Sequence, residues 1–273
     1  MPDFAAMKAD CLRIRNEIID AIYQAGSGHT GGSLSCVEIL WTLYAEVLNV
    51  RPQEPHWPDR DRLVLSKGHA APALYAVLAE RGFFGMELLS SLRQAGSPLQ
   101  GHPDMRKTPG VDMSSGSLGM GISAGVGMAL AGRLSRRDYH VYVIVGDGEL
   151  QEGQNWEALM AAHKYGLTRL VVIVDRNGVQ LDGPTDVIMP MLDIAGKIRE
   201  FGWEVAECDG HECAGILEAL AWARAADGLP RAVVADTVKG KGVSFMEGES
   251  VWHGKPIGAE HYAAAKRELK EGC

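Results

Sequence analysis

Two polar loops follow apolar runs that have the character of buried strands. Asp147 lies between Gly146 and Gly148, directly after a run that ends at Val145, and Asn177 follows a second such run. Because parallel strands present their carboxyl ends at one edge of a sheet, we expect these loops to lie side by side. Although Asp and Asn at strand ends often only cap turns, a carboxylate paired with an amide oxygen suits Mg²⁺ or Ca²⁺ bridged to phosphate oxygens. The pair therefore predicts a cation and diphosphate site.

The glycine-rich residues 116–121 precede a predicted helix rich in small side chains. Backbone N–H groups at such a helix start can bind phosphate, and glycine also permits close helix packing; the two roles are compatible. Gly119, Gly121 and Gly125 approach the dinucleotide spacing G-x-G-x-x-G, but no strand immediately precedes them. We therefore do not expect NAD binding here.

Of the histidines that stand beside glycine in predicted loops, four are singled out by the motifs around them: His29, His69, His102 and His253. Imidazole exchanges protons near neutral pH, so these four are candidate catalytic groups. We expect the other five to be structural: His56, His140, His163, His211 and His261. His211 lies between Cys208 and Cys213, but no second ligand pair follows, which argues against a zinc site.

Short apolar runs alternate with longer segments of helical periodicity. The runs predict strands over residues 62–66, 139–145, 169–175, 203–208 and 232–236. The helical segments cover residues 7–24, 70–81, 122–132, 153–165 and 214–226. A further helix is predicted to start at Ser35, because Ser35 and Glu38 have the spacing of a capping box. This alternation predicts an α/β fold: a doubly wound, mostly parallel sheet with helices on both faces. Residues 26–33 are predicted to form a flexible loop, and residues 239–242 a solvated turn or part of a loop over the site.

The composition is that of a globular protein, with 46% hydrophobic and 23% charged residues. The net charge of −8 argues against nucleic acid or an anionic membrane as a partner. The five cysteines are scattered without a C-x-x-C pair, and no apolar run approaches the ~20 residues of a membrane span. We expect a reducing, cytoplasmic location.

The polar loops also carry a family resemblance. Residues 146–153 (GDGELQEG) and 175–179 (DRNGV) resemble the thiamine diphosphate fingerprint, and the GDG-x-x-QEG version is similar to that of transketolases. Five further motifs occur in the family's order, at residues 27–31 (SGHTG), 66–70 (SKGHA), 100–103 (QGHP), 116–119 (GSLG) and 252–254 (WHG). The chain departs from the family pattern at Thr30 and Arg176, and neither departure removes a proposed ligand.

The resemblance implies a role for each matching position. The metal, Mg²⁺ with Ca²⁺ or Mn²⁺ as alternatives, would be bound by Asp147, Asn177 and the backbone carbonyl of Val179. The four loop histidines would surround the reactive end of thiamine diphosphate and the sugar. The cofactor contacts would come from His69, Gly116, Ser117, Leu118, Gly146, Asp147, Gly148, Glu149, Glu152 and Asn177. Glu152 and Glu157 match family acids near the cofactor face and the subunit interface.

By the same resemblance, residues 1–273 would form one diphosphate-binding domain, without the pyrimidine-binding and C-terminal domains. A separate pyrimidine-domain chain would complete the site, in an α₂β₂ assembly that transfers a two-carbon ketol unit from a ketose (phosphate) to an aldose (phosphate). The alternatives are the α subunit of a 2-oxoacid dehydrogenase-like enzyme, a deoxyxylulose phosphate synthase-type activity, and a non-catalytic regulatory subunit. The QEG after GDG and the His-Gly loops favour ketol transfer.

Overall fold

The computed structural model describes residues 2–271, so Met1, Gly272 and the cysteine at position 273 lie outside the description. Its centre is a five-stranded sheet in the order β1-β2-β3-β5-β4, with every neighbouring pair parallel. The strands are β1 (Arg62–Leu65), β2 (Val141–Gly146), β3 (Leu170–Arg176), β4 (Glu204–Asp209) and β5 (Arg231–Asp236). Each lies within two residues of its predicted bounds, and the predicted parallel sheet is confirmed.

Helices cover both faces of the sheet. They are α1 (Phe4–Ala25), α2 (Thr30–Leu34), α3 (Val37–Thr42), α4 (Ala71–Glu80), α5 (Gly121–Leu134), α6 (Gly153–Lys164), α7 (Thr185–Ile188), α8 (Ile194–Glu200), α9 (Cys213–Arg224) and α10 (Ala259–Glu271). Along β3, Val171 and Ile173 pack with the core beneath α1 and α4, whereas Val172 and Val174 pack with the core beneath α5 and α6. The doubly wound architecture is therefore confirmed.

The predicted capping box at Ser35 is wrong. Ser35 ends α2, and α3 begins at Val37 after Cys36. The Ser35 hydroxyl donates to Oδ2 of Asp175 at 2.7 Å, and Glu38 accepts from Arg15. Because buried partners from distant segments take both side chains, neither is left to cap a helix. The segment from Thr30 to Leu34 is helical and buried, not the flexible loop predicted.

Among residues 2–271, no helix has the length and apolar character that crossing a membrane requires.

Candidate active site

A cavity of about 250 Å³ lies beyond the carboxyl ends of β2 and β3. These strands are neighbours with Gly146 opposite Asp175, so the two polar loops that follow them are adjacent, as predicted. The cavity is lined by ten predicted site residues: His69, Leu118, Gly146, Asp147, Gly148, Glu149, Glu152, Asn177, Val179 and His253. The structure thus gathers residues that are far apart in the sequence at one edge of the sheet.

Asp147 joins the two loops. Its Oδ2 accepts from the backbone N–H of Gly178 at 2.9 Å and from the Thr185 hydroxyl at 3.3 Å. Asp147 is buried, and burial together with the negative charge of Asp175 raises the pKa of its carboxyl. A nearby cation would therefore stabilise the ionised form of Asp147.

The oxygens around Asp147 fit a hard cation. Carboxylate, amide and backbone carbonyl oxygens are available from Asp147, Asn177 and Val179, a donor set that suits Mg²⁺ or Ca²⁺. The Val179 carbonyl already attracts a positive group, because it accepts from Nζ of Lys239 at 3.0 Å. No cluster of three or more His, Cys, Asp or Glu side chains suited to a metal occurs within residues 2–271. A metal here would accordingly need the amide and carbonyl oxygens and those of its ligand.

The four candidate histidines form one cluster. The ring of His29 lies 5.5 Å from that of His69, 5.9 Å from that of His102 and 5.4 Å from that of His253, measured between centroids. The rings of His69 and His253 lie 4.9 Å apart and line the cavity. His29 and His102 belong to the same cluster but do not line the cavity.

Glycines make room for these rings. A Cβ atom on Gly32 would lie 3.0 Å from Nε2 of His69, and one on Gly116 would lie 3.1 Å from Cγ of His102. Gly116 also has a φ of 145°, which side chains rarely allow. Gly32 and Gly116 thus have a steric function that their sequence positions alone do not reveal.

The cluster is neutral at physiological pH. Burial lowers the pKa of His29 to about 4 and that of His253 to about 3, with further repulsion from nearby cations. Burial and the charge of Lys67 hold the pKa of His69 well below its usual range. The Nδ1 atom of His29 is buried and has no hydrogen-bond partner among residues 2–271. Neutral imidazoles of this kind can each accept or donate a hydrogen bond to a sugar hydroxyl.

The glycine-rich segment before α5 is engaged in packing. The backbone N–H of Gly119 donates to Oε1 of Glu149 at 2.9 Å, and that of Gly121 donates to the Ser66 hydroxyl at 3.1 Å. Glu149 also accepts from the N–H of Gly146 at 3.1 Å. Glu149 therefore links the glycine-rich segment to the end of β2 through hydrogen bonds to Gly119 and Gly146. Of this segment, only Leu118 lines the cofactor cavity.

The remaining predicted positions lie apart from the cavity. Ser117 and Glu157 are exposed and do not contribute to its lining. His211 accepts from the N–H of Val238 through Nε2 and contacts Glu38 through Nδ1, a structural role as expected. His163 contacts the carbonyl of Gly202, also as expected.

Two lysines at the site escaped the sequence-based prediction. Lys67 is buried and forms an ion pair with the buried Asp175, which lowers the carboxyl's pKa although burial alone would raise it. Lys239 is also buried and lines the cavity, which favours the predicted loop over the site and excludes the alternative of a solvated turn at this residue. Its ammonium lies 3.0 Å from Nδ1 of His253, and burial together with repulsion from Lys67 lowers its pKa to about 8. The sequence signal that could have indicated these lysines is their place in short glycine-containing segments, SKGHA for Lys67 and KGKG for Lys239.

Comparisons with known proteins agree with this geometry. Residues 7–271 match the family model described as transketolase, thiamine diphosphate binding domain. The chain is 47% identical over 261 residues to the 6-deoxy-6-sulfo-D-fructose transketolase subunit SqwG of Clostridium sp. (strain MSTE9), covering 95% of each chain. It is 41% identical over 270 residues to a subunit of the apulose-4-phosphate transketolase of Phocaeicola vulgatus, covering 97% of this chain and 96% of that protein.

A solved structure shows the same relationship. The transketolase of Campylobacter jejuni superposes with a TM-score of 0.93 at 31% identity, covering 98% of this chain and 43% of that one. The chain therefore spans less than half of a full-length transketolase and nearly all of the two subunits. It belongs to the transketolase family, as a thiamine diphosphate-binding domain of that family.

Proposed function

We propose that this chain is the diphosphate-binding subunit of a two-chain transketolase, which transfers a two-carbon ketol unit from a ketose to an aldose. The observation that carries the proposal is that Asp147, Asn177 and Val179 line the same cavity as His69 and His253. Hard oxygen ligands and proton-exchanging imidazoles are thus combined at one sheet edge.

Each part of the cavity has a task in this proposal. Asp147, Asn177 and the Val179 carbonyl would hold a divalent cation such as Mg²⁺, which would offset the negative charge of the diphosphate. When bound, thiamine diphosphate supplies the electron sink that lets a two-carbon fragment leave one sugar and join another. His69 and His253, supported by His29 and His102, orient sugar hydroxyls by donating and accepting hydrogen bonds as neutral imidazoles.

A second chain completes the proposed enzyme. The two relatives that this chain nearly spans are both named as subunits, and their names specify a sulfonated and a phosphorylated sugar. We assign the same arrangement here, with a pyrimidine-domain partner, an α₂β₂ assembly and an anionic sugar substrate. The described cysteines are all free, which supports a cytoplasmic setting.

The cofactor site can be tested on the chain alone. Asp147→Asn should weaken thiamine diphosphate binding in Mg²⁺ by about tenfold or more, because the remaining oxygens are neutral. Titration calorimetry with and without Mg²⁺ measures this loss. Asp182→Asn, an exposed acid on the neighbouring loop, is the matched control and should bind like the wild type. Equal affinity of Asp147→Asn and the wild type would contradict the proposed metal site.

The reaction requires the partner. The chain is mixed with a candidate pyrimidine-domain protein, thiamine diphosphate, Mg²⁺, a ketose and an aldose, and the products are separated by mass. Two-carbon transfer that needs both chains supports the proposal. Decarboxylation of a 2-oxoacid would indicate the dehydrogenase-like alternative, and full activity of the partner alone would indicate a regulatory role for this chain.

A further inference from the structure

Two cysteines that are far apart in the sequence meet between two helices. Cys11 lies on α1 and Cys213 is the first residue of α9, and these helices pack against each other. The two thiols are hydrogen-bonded to each other, and both are free. Within one apolar core, Cys11 is 1% exposed and Cys213 8% exposed. The fold therefore places two reduced sulfurs next to each other.

A cavity of about 870 Å³ gives access to one of these two cysteines. It lies between α1, the start of α9 and the segment that follows β5, and Cys213 lines it whereas Cys11 does not. This cavity and the cofactor cavity have no lining residue in common. A small reagent that enters it would thus reach Cys213 before Cys11, without occupying the cofactor site.

Cys213 is the sulfur better suited to react. The hydrogen bond from Cys11 lowers the pKa of the Cys213 thiol, although burial and the charges of Glu38 and Glu212 oppose this shift. The same hydrogen bond and burial raise the pKa of Cys11. The first turn of the 12-residue helix α9 also favours an anion at Cys213. Because the thiolate is the nucleophilic form of cysteine, Cys213 should attack first and Cys11 second.

The other two cysteines that the structure describes lack these features. Burial raises the pKa of Cys36 to about 12, and Cys36 is fully buried. Cys208 is more exposed than Cys213, but burial and the charges of Asp209 and Asp236 raise its pKa to about 11. Exposure alone would favour reaction at Cys208, whereas thiolate character favours Cys213.

We propose that Cys213 and Cys11 form an oxidisable dithiol, which a small hydroperoxide converts into a disulfide that joins α1 to α9. The Cys213 thiolate attacks one peroxide oxygen, so a sulfur–oxygen bond forms, the oxygen–oxygen bond breaks, and the departing hydroxide takes up a proton. The thiol of Cys11 then attacks the Cys213 sulfur. The sulfur–sulfur bond forms, and the hydroxyl group leaves with the Cys11 proton as water. The two sulfurs lose two electrons, which reduce one peroxide to two waters.

Peptide mapping of the whole wild-type chain tests the dithiol. The reduced protein is treated with hydrogen peroxide, quenched with an alkylating agent and digested without reductant. The peptides of Cys11 and Cys213 should appear joined and should separate in dithiothreitol. Free Cys213 should disappear at least about tenfold faster than free Cys208. Faster oxidation of Cys208, or the absence of the joined peptides, would overturn the proposal without recourse to any variant.

Cys11→Ser separates the two steps of the reaction. Serine keeps a hydrogen-bond donor beside Cys213 but cannot form a disulfide, so a sulfenic acid should persist at Cys213 and react with dimedone. In Cys213→Ser, the buried Cys11 should stay reduced for at least about ten times as long as in the wild type. Cys208→Ser is the matched control and should form the disulfide at a rate within about twofold of the wild type. Oxidation of Cys11 at the wild-type rate in Cys213→Ser would contradict the proposed order of attack.

The melting temperature gives a second readout and shows that each variant is folded. Because the disulfide closes a long loop of the chain, oxidation should raise the melting temperature of the wild type by several degrees. Oxidation of Cys11→Ser should give no such rise. A fall in the melting temperature of the wild type on oxidation would contradict sulfurs that the native fold already places for the bond.

Discussion

At the scale of single residues, burial determines the chemistry of the site. Lys67 and Asp175 form an ion pair and neutralise each other. Asp147 and Lys239 both line the cavity but do not form an ion pair with each other. The pKa of Asp147 is consequently raised and that of Lys239 lowered. Both shifts indicate a site whose charges lack full compensation from the protein, as expected where a cation and an anionic cofactor bind together.

The buried histidines should make stability depend on pH. The pKa of His29 is about 4 in the folded chain and 6.5 in the unfolded reference. Between these values the unfolded chain binds more protons, so the free energy of unfolding falls as pH drops below about 6.5. In His29→Asn the loss between about pH 7 and about pH 5 should be smaller by about 1 kcal/mol, a value reduced because the ring is partly solvated.

Urea unfolding at the two pH values measures this difference. The control is the interval from about pH 7 to about pH 8, where His29 is neutral in both states and the difference between variant and wild type should remain constant. Identical losses on acidification in the two proteins would contradict a neutral, buried His29.

At the scale of elements, the start of α5 decides how closely the glycine-rich segment meets the end of β1. A Cβ atom on Gly121 would overlap the side chain of Ser66. Ser66 in turn hydrogen-bonds Glu149, which binds the N–H groups of Gly119 and Gly146. The contact between α5 and the end of β1 therefore orders the glycine-rich segment before α5 and, through Glu149, the end of β2 that precedes Asp147.

Gly121→Ala should destabilise the chain by about 1–3 kcal/mol, because Ser66 and its partners must move. A Cβ atom on Gly127, six residues later on the same helix, would meet no neighbouring segment within 4 Å. Gly127→Ala should accordingly stabilise the chain by about 0.5–1 kcal/mol through helix propensity. Urea denaturation of both variants gives the comparison, and destabilisation of equal size at the two positions would argue against the tight contact at Gly121.

At the scale of the whole molecule, the segment between β3 and α8 carries exposed apolar side chains, one of which lines the cavity. Leu181, which lines the cavity, is 60% exposed, Val187 74% and Leu192 78%. Large apolar side chains exposed close together in sequence are candidates for a protein interface. The proposed partner chain, which must reach the cavity to complete the site, would cover these residues.

Val187→Glu should weaken binding of the partner about tenfold or more, because a charge would be buried in the interface. The melting temperature of the isolated chain should change little, since the residue is exposed. Leu134→Glu is the control. Leu134 is 84% exposed and lies at the C-terminal end of α5, whose N-terminal end follows the glycine-rich segment. Sedimentation of the mixed chains measures both, and equal binding by the two variants would place the interface elsewhere.

The strands, the adjacent loops that follow β2 and β3, and most residues that line the cavity could be predicted from the amino-acid sequence. Apolar runs such as those of β2 and β3 encode buried parallel strands locally, and parallel strands necessarily bring their carboxyl-end loops together. Asp147, Asn177 and the loop histidines could therefore be assigned from short motifs and their order along the chain.

The partners of these motif residues could not be predicted, because they depend on contacts made in the folded chain. Ser35 binds Asp175 instead of capping a helix, Lys239 is buried beside His253, and Arg93 approaches His102 because Gly101 leaves space. Each of these contacts joins residues from different segments, and the hydrophobic periodicity of the sequence does not indicate which segments will meet. Their energies depend on burial and on the charges of neighbours, which exist only once the chain has folded.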